Sequence, residues 1–335
     1  MFTGRKTVVA SAAAVLMALA GCSSAAAGPA QSAPADPSQS AAAGGSVEGK
    51  EICYVTLANS HPYVTPANEG AQSAADAAKV KLTIVSEEFS AQTGAEQFNA
   101  CVSRGVDGIL FWPADENSYL PGLMAAEQAG IPVVAIDTKA GEESMKHVAS
   151  FVGADKYDQG KKNATLLNDA MGKEGGFVII AGQAGNGTEI ARTGGFRDGL
   201  KEIGAKITEL AYVNADFDQQ KALVASRDLI TRFGDKIKGV YAEDDTMAKG
   251  FIQALKESGK DFKPIIVGIN GEAGAFDNIR AGVQYSTILQ PPFRNGELAI
   301  ETLIKVMKGE QVPEMVPLEN TVVTKENVET EKPAM

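Results

Sequence analysis

Short apolar runs alternate with amphipathic stretches along most of this chain. Segments 52–57, 82–85, 108–111 and 133–136 are rich in Val, Ile and Leu and read as buried strands, with 147–152 as a fifth. Between them, segments 66–79, 94–104 and 119–130 space apolar residues three and four apart, the period of a helix with one buried face. The rhythm then restarts. Helices are expected over 157–170, 188–202, 218–232, 247–258 and 272–281, and strands over 176–180, 206–213, 239–242, 265–269 and 285–289. Segment 294–308 reads as a last long helix. Strands separated by helices imply an α/β fold, and two successive sets imply two doubly wound parallel-sheet lobes. In such sheets ligands bind beyond the carboxyl ends of the strands, so the polar residues just past each strand carry the chemistry.

The first 48 residues do not share this pattern. Arg5 and Lys6 precede a short apolar stretch that ends in Leu19-Ala20-Gly21-Cys22. Charge, apolar run and small residues in that order read as a secretory signal over 1–21. A Cys directly after the small residues resembles the bacterial lipobox, in which Cys22 would carry the lipid that anchors the chain to the outer face of the membrane. Segment 22–48 is Ala, Ser, Gly, Pro and Gln with few bulky apolar residues, and is expected to be a disordered tether. Cleavage before Cys22 would remove two of the 31 basic residues and none of the 42 acidic ones, giving a net charge of −13. That balance argues against nucleic acid or an anionic surface as partner. Two further cysteines, Cys53 and Cys101, would then remain in an oxidising compartment. A disulfide between them and a pair of buried thiols are both compatible with the sequence.

Past the strands lie Ala58-Asn59-Ser60-His61-Pro62-Tyr63, Trp112, Asp137-Thr138, a loop over 182–187 with Arg192 one turn beyond, Asp216-Phe217-Asp218, Glu243-Asp244-Asp245, Asn270-Gly271 and Gln290. Carboxylates and amides can bond several hydroxyls at once, Arg offers a planar fork, and Tyr63 and Phe217 offer flat faces to C–H surfaces. Asp155, Asp216, Asp218 and Asp245 are expected to be helix caps or surface charges. Trp112 is expected either to wall the pocket or to pack near the hinge. The glycines over 182–187 lack the Lys-Ser/Thr of a phosphate-binding loop. Only two histidines, His61 and His147, are present and they have no paired spacing, so no metal site and no cofactor are expected. No nucleophile with a neighbouring base is readable, which argues against an enzyme.

Several stretches carry a family resemblance: 58–72, 130–137, 191–196, 215–218, 242–250, 267–271 and 287–290. Through them the folded part resembles the type I periplasmic binding proteins, and among these the ribose-binding-protein-like group. The resemblance implies two lobes joined by three crossing segments, with 49–152 plus 291–318 in one lobe, 153–290 plus 319–328 in the other, and a tail over 329–335. It implies a small sugar or polyol held between the lobes, and an ABC permease with a cytoplasmic ATPase as partners of a monomer. A receptor feeding chemotaxis or a sensor kinase is the alternative on the same cleft. The contacts it implies fall on His61, Tyr63, Val64, Asp137, Thr138, Arg192, Phe217, Asp244, Asn270 and Gln290. Five depart from the ribose type: His61 and Asp244 each stand for Asn, Val64 for an aromatic, Thr138 for Arg, and Asn270 for Asp. One stacking face and one cation are therefore expected to be missing, and the ligand is expected to be pentose-like but not ribose.

Overall fold

The computed structural model describes residues 45–335. The expected signal over 1–21, the lipidation at Cys22 and most of the expected tether lie outside the described residues. The two alternating stretches of sequence form two sheets with the same wiring. In the first lobe, β1 (Glu51–Thr56), β2 (Lys81–Ser86), β3 (Gly108–Phe111), β4 (Val133–Ile136) and β5 (Ser150–Gly153) run parallel in the order 5-4-3-1-2. In the second, β6 (Gly176–Ala181), β7 (Thr208–Asn214), β8 (Ile237–Ala242), β9 (Ile265–Asn270) and β10 (Ser286–Leu289) repeat that order as 10-9-8-6-7. Two short strands complete the edges. β11 (Met315–Pro317) pairs parallel with β5, and β12 (Thr321–Thr324) pairs antiparallel with β10. The chain crosses between lobes after β5, after β10 and between β11 and β12.

β3, β4 and β5 are buried at every position, as strands covered by helices on both faces must be. The helices dock through small residues. α1 (Val64–Ala77) buries Val64, Ala67, Gly70, Ala71 and Ala75 in one stripe, against α10 (Pro292–Met307). A Cβ on Gly70 would lie 1.9 Å from the Phe293 carbonyl oxygen, so α10 closes on α1 only because no side chain is there. In the second lobe α5 (Lys156–Ala170) meets α6 (Gly187–Glu202) in the same way. A Cβ on Gly160 would lie 2.3 Å from the Arg192 carbonyl oxygen, and one on Gly195 would lie 2.0 Å from that of Tyr157. This contact fixes the backbone from which Arg192 projects.

Three features differ from the sequence-based expectation or were not foreseen by it, and a fourth decides between two alternatives that the sequence left open. The tether boundary at 48 is late, because Val47 is 6% exposed and packs into the first lobe's core. The expected tail is docked: Ala334 N donates to Gly271 O (2.8 Å), Met335 O accepts from Ala273 N (2.9 Å), and Met335 packs against the first lobe's core. β11, β12 and the short helix α4 (Glu142–Met145) were not expected, since three or four residues are too few to show a period. Cys53 on β1 and Cys101 on α2 (Ala91–Ser103) are joined as a disulfide with their Cα atoms 6.0 Å apart, both within one core cluster.

Candidate ligand-binding cleft

β1 and β6 are the strands at which the order in each sheet reverses, and their carboxyl ends face each other across the cleft. Every residue expected at the site lines one cavity there: His61, Tyr63, Val64, Trp112, Asp137, Thr138, Arg192, Phe217, Asp244, Asn270 and Gln290. The cavity between these side chains measures about 40 Å³. The inner space is therefore narrow, well below the size of an ordinary ligand pocket.

Asp137 follows β4 with φ +62°, a left-handed conformation unusual for a residue with a side chain. One carboxylate oxygen, Oδ1, accepts from the Tyr63 hydroxyl (3.2 Å), Lys156 Nζ (2.8 Å) and Asn295 Nδ2 (3.0 Å). Its Oδ2 has no hydrogen-bond partner among the described residues. Asp137 is thus held by three donors and caps no helix. Arg192 is held the same way. Its Nε donates to Gln159 Oε1 (3.1 Å) and its Nη1 to the Glu243 carbonyl (2.6 Å), which leaves Nη2 unengaged among the described residues. Gln290 Oε1 accepts from Lys156 Nζ (3.1 Å) and Gln159 Nε2 (2.9 Å), while its Nε2 donates to Asn270 Oδ1 (2.8 Å). Lys156 and Gln159, one turn apart at the start of α5, therefore tie Asp137, Gln290 and Arg192 into one frame. Burial pulls the Lys156 ammonium down to about 8, with Asp137 opposing the shift and Arg192 adding to it.

Asp244 and His61 face each other from opposite lobes. Asp244 caps α8 (Asp245–Ser258) through Oδ1, which accepts from Met247 N (2.7 Å). His61 Nδ1 accepts from Tyr63 N (3.2 Å), so in the neutral ring the proton sits on Nε2. That Nε2 lies 3.8 Å from Asp244 Oδ2, and both atoms are buried without a hydrogen-bond partner. Thr138 and Trp112 are engaged differently. Trp112 Nε1 donates to Thr138 Oγ1 (3.1 Å), which is also 2.8 Å from Thr188 Oγ1 on the other lobe. Trp112 thus walls the cavity with its ring, edge-on to Tyr63 at 5.9 Å, and spends its polar atom on a contact between lobes.

Of the acidic residues expected to be caps or surface charges, Asp155 and Asp218 cap helices, and Asp216 is partly exposed and pairs with Lys221 (2.7 Å). Asp245 does neither. It is 1% exposed and accepts from Thr287 Oγ1 (2.7 Å), Gln284 Nε2 (2.8 Å) and the Gly271 and Glu272 amides, so it shapes the turn that carries Asn270. Burial pushes its carboxyl up to about 8, as it does that of Glu243. The loop over 182–187 turns its Gly182 N–H onto Glu243 Oε2 (2.8 Å), which leaves that amide no freedom to bind a phosphate.

Sequence reasoning missed Leu57, Phe89, Asn186 and Thr188 in the cavity wall, and Lys156, Gln159 and Asn295 behind it. Phe89 had a signal. Glu88-Phe89-Ser90 after β2 repeats the acidic-Phe-cap order of Asp216-Phe217-Asp218 after β7. Phe89 brings to the cavity wall an aromatic side chain that Val64 does not. Among the described residues no group of His, Cys, Asp or Glu is placed to hold a metal ion, and no helix is long and apolar enough to cross a membrane.

Comparison with known proteins agrees with this geometry. The periplasmic binding protein domain pattern matches residues 52–311. The chain is 29% identical to a xylitol-binding protein of Mycolicibacterium smegmatis, over 82% of this chain and 77% of that one. It is also 29% identical to the D-allose-binding periplasmic protein of Escherichia coli, over 82% and 92%. Among solved structures, an ABC transporter solute binding protein from Mycobacterium smegmatis with bound glycerol shares 29% identity at a TM-score of 0.78, over 84% of this chain and 96% of that one. Another from Agrobacterium vitis with bound D-fucose shares 26% at 0.79, over 84% and 97%. With the matched pattern spanning most of its length, this chain belongs to the periplasmic binding protein domain family.

Proposed function

We propose that this protein captures a small neutral sugar or polyol between its lobes, that closure about the three crossings holds the ligand, and that the loaded form is passed to an ABC permease. The observation that carries the ligand class is the His61–Asp244 pair. A single hydroxyl oxygen can reach both atoms across 3.8 Å, accepting from His61 Nε2 and donating to Asp244 Oδ2. A sugar or polyol hydroxyl is suited to this place, because its oxygen accepts and donates at once. The remaining open atoms, Asp137 Oδ2 and Arg192 Nη2, add one acceptor and one donor. The wall carries two carboxylates, Asp137 and Asp244, against one cation, Arg192, with Lys156 paired to Asp137 from behind, so it offers no excess positive charge to hold an anionic ligand. The sugars and polyols bound by the relatives support the same class.

Isothermal titration against xylitol, D-allose, D-fucose, myo-inositol, glycerol and D-ribose tests this. At least one member other than ribose is expected to bind with micromolar or tighter affinity. No member binding tighter than millimolar overturns the proposal. Export and anchoring through Cys22 belong to the same proposal: the full chain is expected to partition into detergent when expressed in a bacterial host, and Cys22→Ala to abolish that partition. Equal partition of the two forms overturns the anchor.

A further inference from the structure

Two matching turns guard the entrance of the cleft. After β2 the carbonyl of Glu87 accepts from Ser90 N (2.9 Å), and after β7 that of Ala215 accepts from Asp218 N (2.8 Å). The central residues all have positive φ: Glu88 +49°, Phe89 +59°, Asp216 +52° and Phe217 +56°. Such turns favour Asn and Gly, and a bulky residue in this conformation is a true outlier. Here each turn places a phenylalanine there. Outliers of this kind persist where the surroundings over-determine them, and they cluster at ligand clamps.

The surroundings do so. The Phe217 ring fills the space above Gly182, where a Cβ would lie 1.9 Å from it. Phe89 N donates to Leu57 O (3.0 Å), and Phe89 O accepts from Gln183 Nε2 of the other lobe (3.0 Å). The Phe89 ring is edge-on to His61 at 5.9 Å and packs against the cores of both lobes. Outside the inner cavity lies a wider, open mouth bordered by Ser60, Glu88, Asp216, Asp218 and Lys221. His61, Phe89 and Phe217 line both spaces, so a molecule passing between them must pass these three side chains.

We propose that Phe89 is a specificity-determining residue that works with Phe217 as a gate. The two rings, one from each lobe, receive the C–H faces of a ring-form sugar or cyclitol and must part before it leaves. This rests on the sugar-binding proposal and adds to it a preference for ring-form over open-chain ligands. Aromatic rings hold flat C–H surfaces, and an acyclic polyol presents none of fixed shape.

Stopped-flow release of D-allose and xylitol, followed through the chain's single tryptophan, Trp112, tests it in the full chain. Phe89→Ala is expected to release D-allose at least about 10-fold faster and to weaken it more than xylitol, with Phe89→Tyr restoring most of the loss. Unchanged release in Phe89→Ala overturns the gate. Equal loss for the two ligands overturns the ring-form preference. Failure of the unaltered protein to bind any sugar would count against the sugar proposal alone. The gate is then read by acrylamide quenching of Trp112, which is 2% exposed and is expected to be quenched more strongly in Phe89→Ala, and equal quenching overturns it.

Discussion

Arg192→Ala is expected to weaken binding of the tightest sugar in the panel by about 100-fold or more while the chain keeps its fold. A charged hydrogen bond to ligand contributes about 1.5–3 kcal/mol, and losing it from a dry cleft also leaves the ligand oxygen unpaired. Arg192 is 3% exposed, and both of its fixed bonds, to Gln159 and the Glu243 carbonyl, lie within the second lobe. Removal therefore disturbs one lobe locally and leaves the crossings intact. Asp137 calls for a gentler change, because its Oδ1 also anchors Lys156, Tyr63 and Asn295. Asp137→Ala would strand a buried ammonium and mix stability with affinity. Asp137→Asn keeps the shape and removes the charge, and is expected to cost a similar factor in affinity. Titration of both variants checks this, with thermal melts as the folding control. Near-wild-type affinity in both would mean that the ligand sits elsewhere.

The residues that hold the cavity were legible to different degrees. Those just past strand ends could be found, because a parallel sheet aims every strand terminus at one crevice. Asp137, Asn270 and Gln290 are of this kind, while Arg192 reaches the same crevice from inside the helix that follows β6. What could not be read was compensation between elements. Val64 and Thr138 suggested a pocket short of one aromatic face and one cation. Phe89, three residues past a neighbouring strand, brings an aromatic side chain to the wall, and Lys156, two residues past a crossing, supplies a cation against Asp137. Neither direction follows from hydrophobic period. Phe89 turns inward because of two successive positive φ angles, and Lys156 because the chain has just changed lobes. Asp245 misled for the converse reason. At the start of an amphipathic helix it looks like a solvated charge, yet the chain folds Thr287 and Gln284 over it. β11 and β12 escaped because their pairing partners lie far away in sequence, across a crossing that no local pattern announces.

Lys156 is where the frame of the site and the stability of the protein meet, and its replacement is expected to show in both. Burial lowers its folded value to about 8, against 10.5 for a free lysine. Between those values the unfolded chain holds a proton that the native chain does not, so stability rises with pH across that window. The contribution is fully present above 10.5 and is lost as pH falls through about 8. Lys156→Met is expected to remove this rise, seen as the difference between variant and wild-type urea midpoints from pH 8 to 10. Near pH 7 the same variant leaves Asp137 buried with only Tyr63 and Asn295 as donors. Breaking one half of a buried pair costs about 3–5 kcal/mol, whereas replacing both partners is often close to neutral. Lys156→Met is therefore expected to be destabilised near pH 7, and the double variant Lys156→Met/Asp137→Asn to recover most of the loss. A single variant as stable as wild type, with an unchanged slope above pH 8, would show that Lys156 carries no such load. The double variant would remain a poor sugar binder even when restored in stability, because Asp137 has then lost the charge that its open oxygen presents to the cleft.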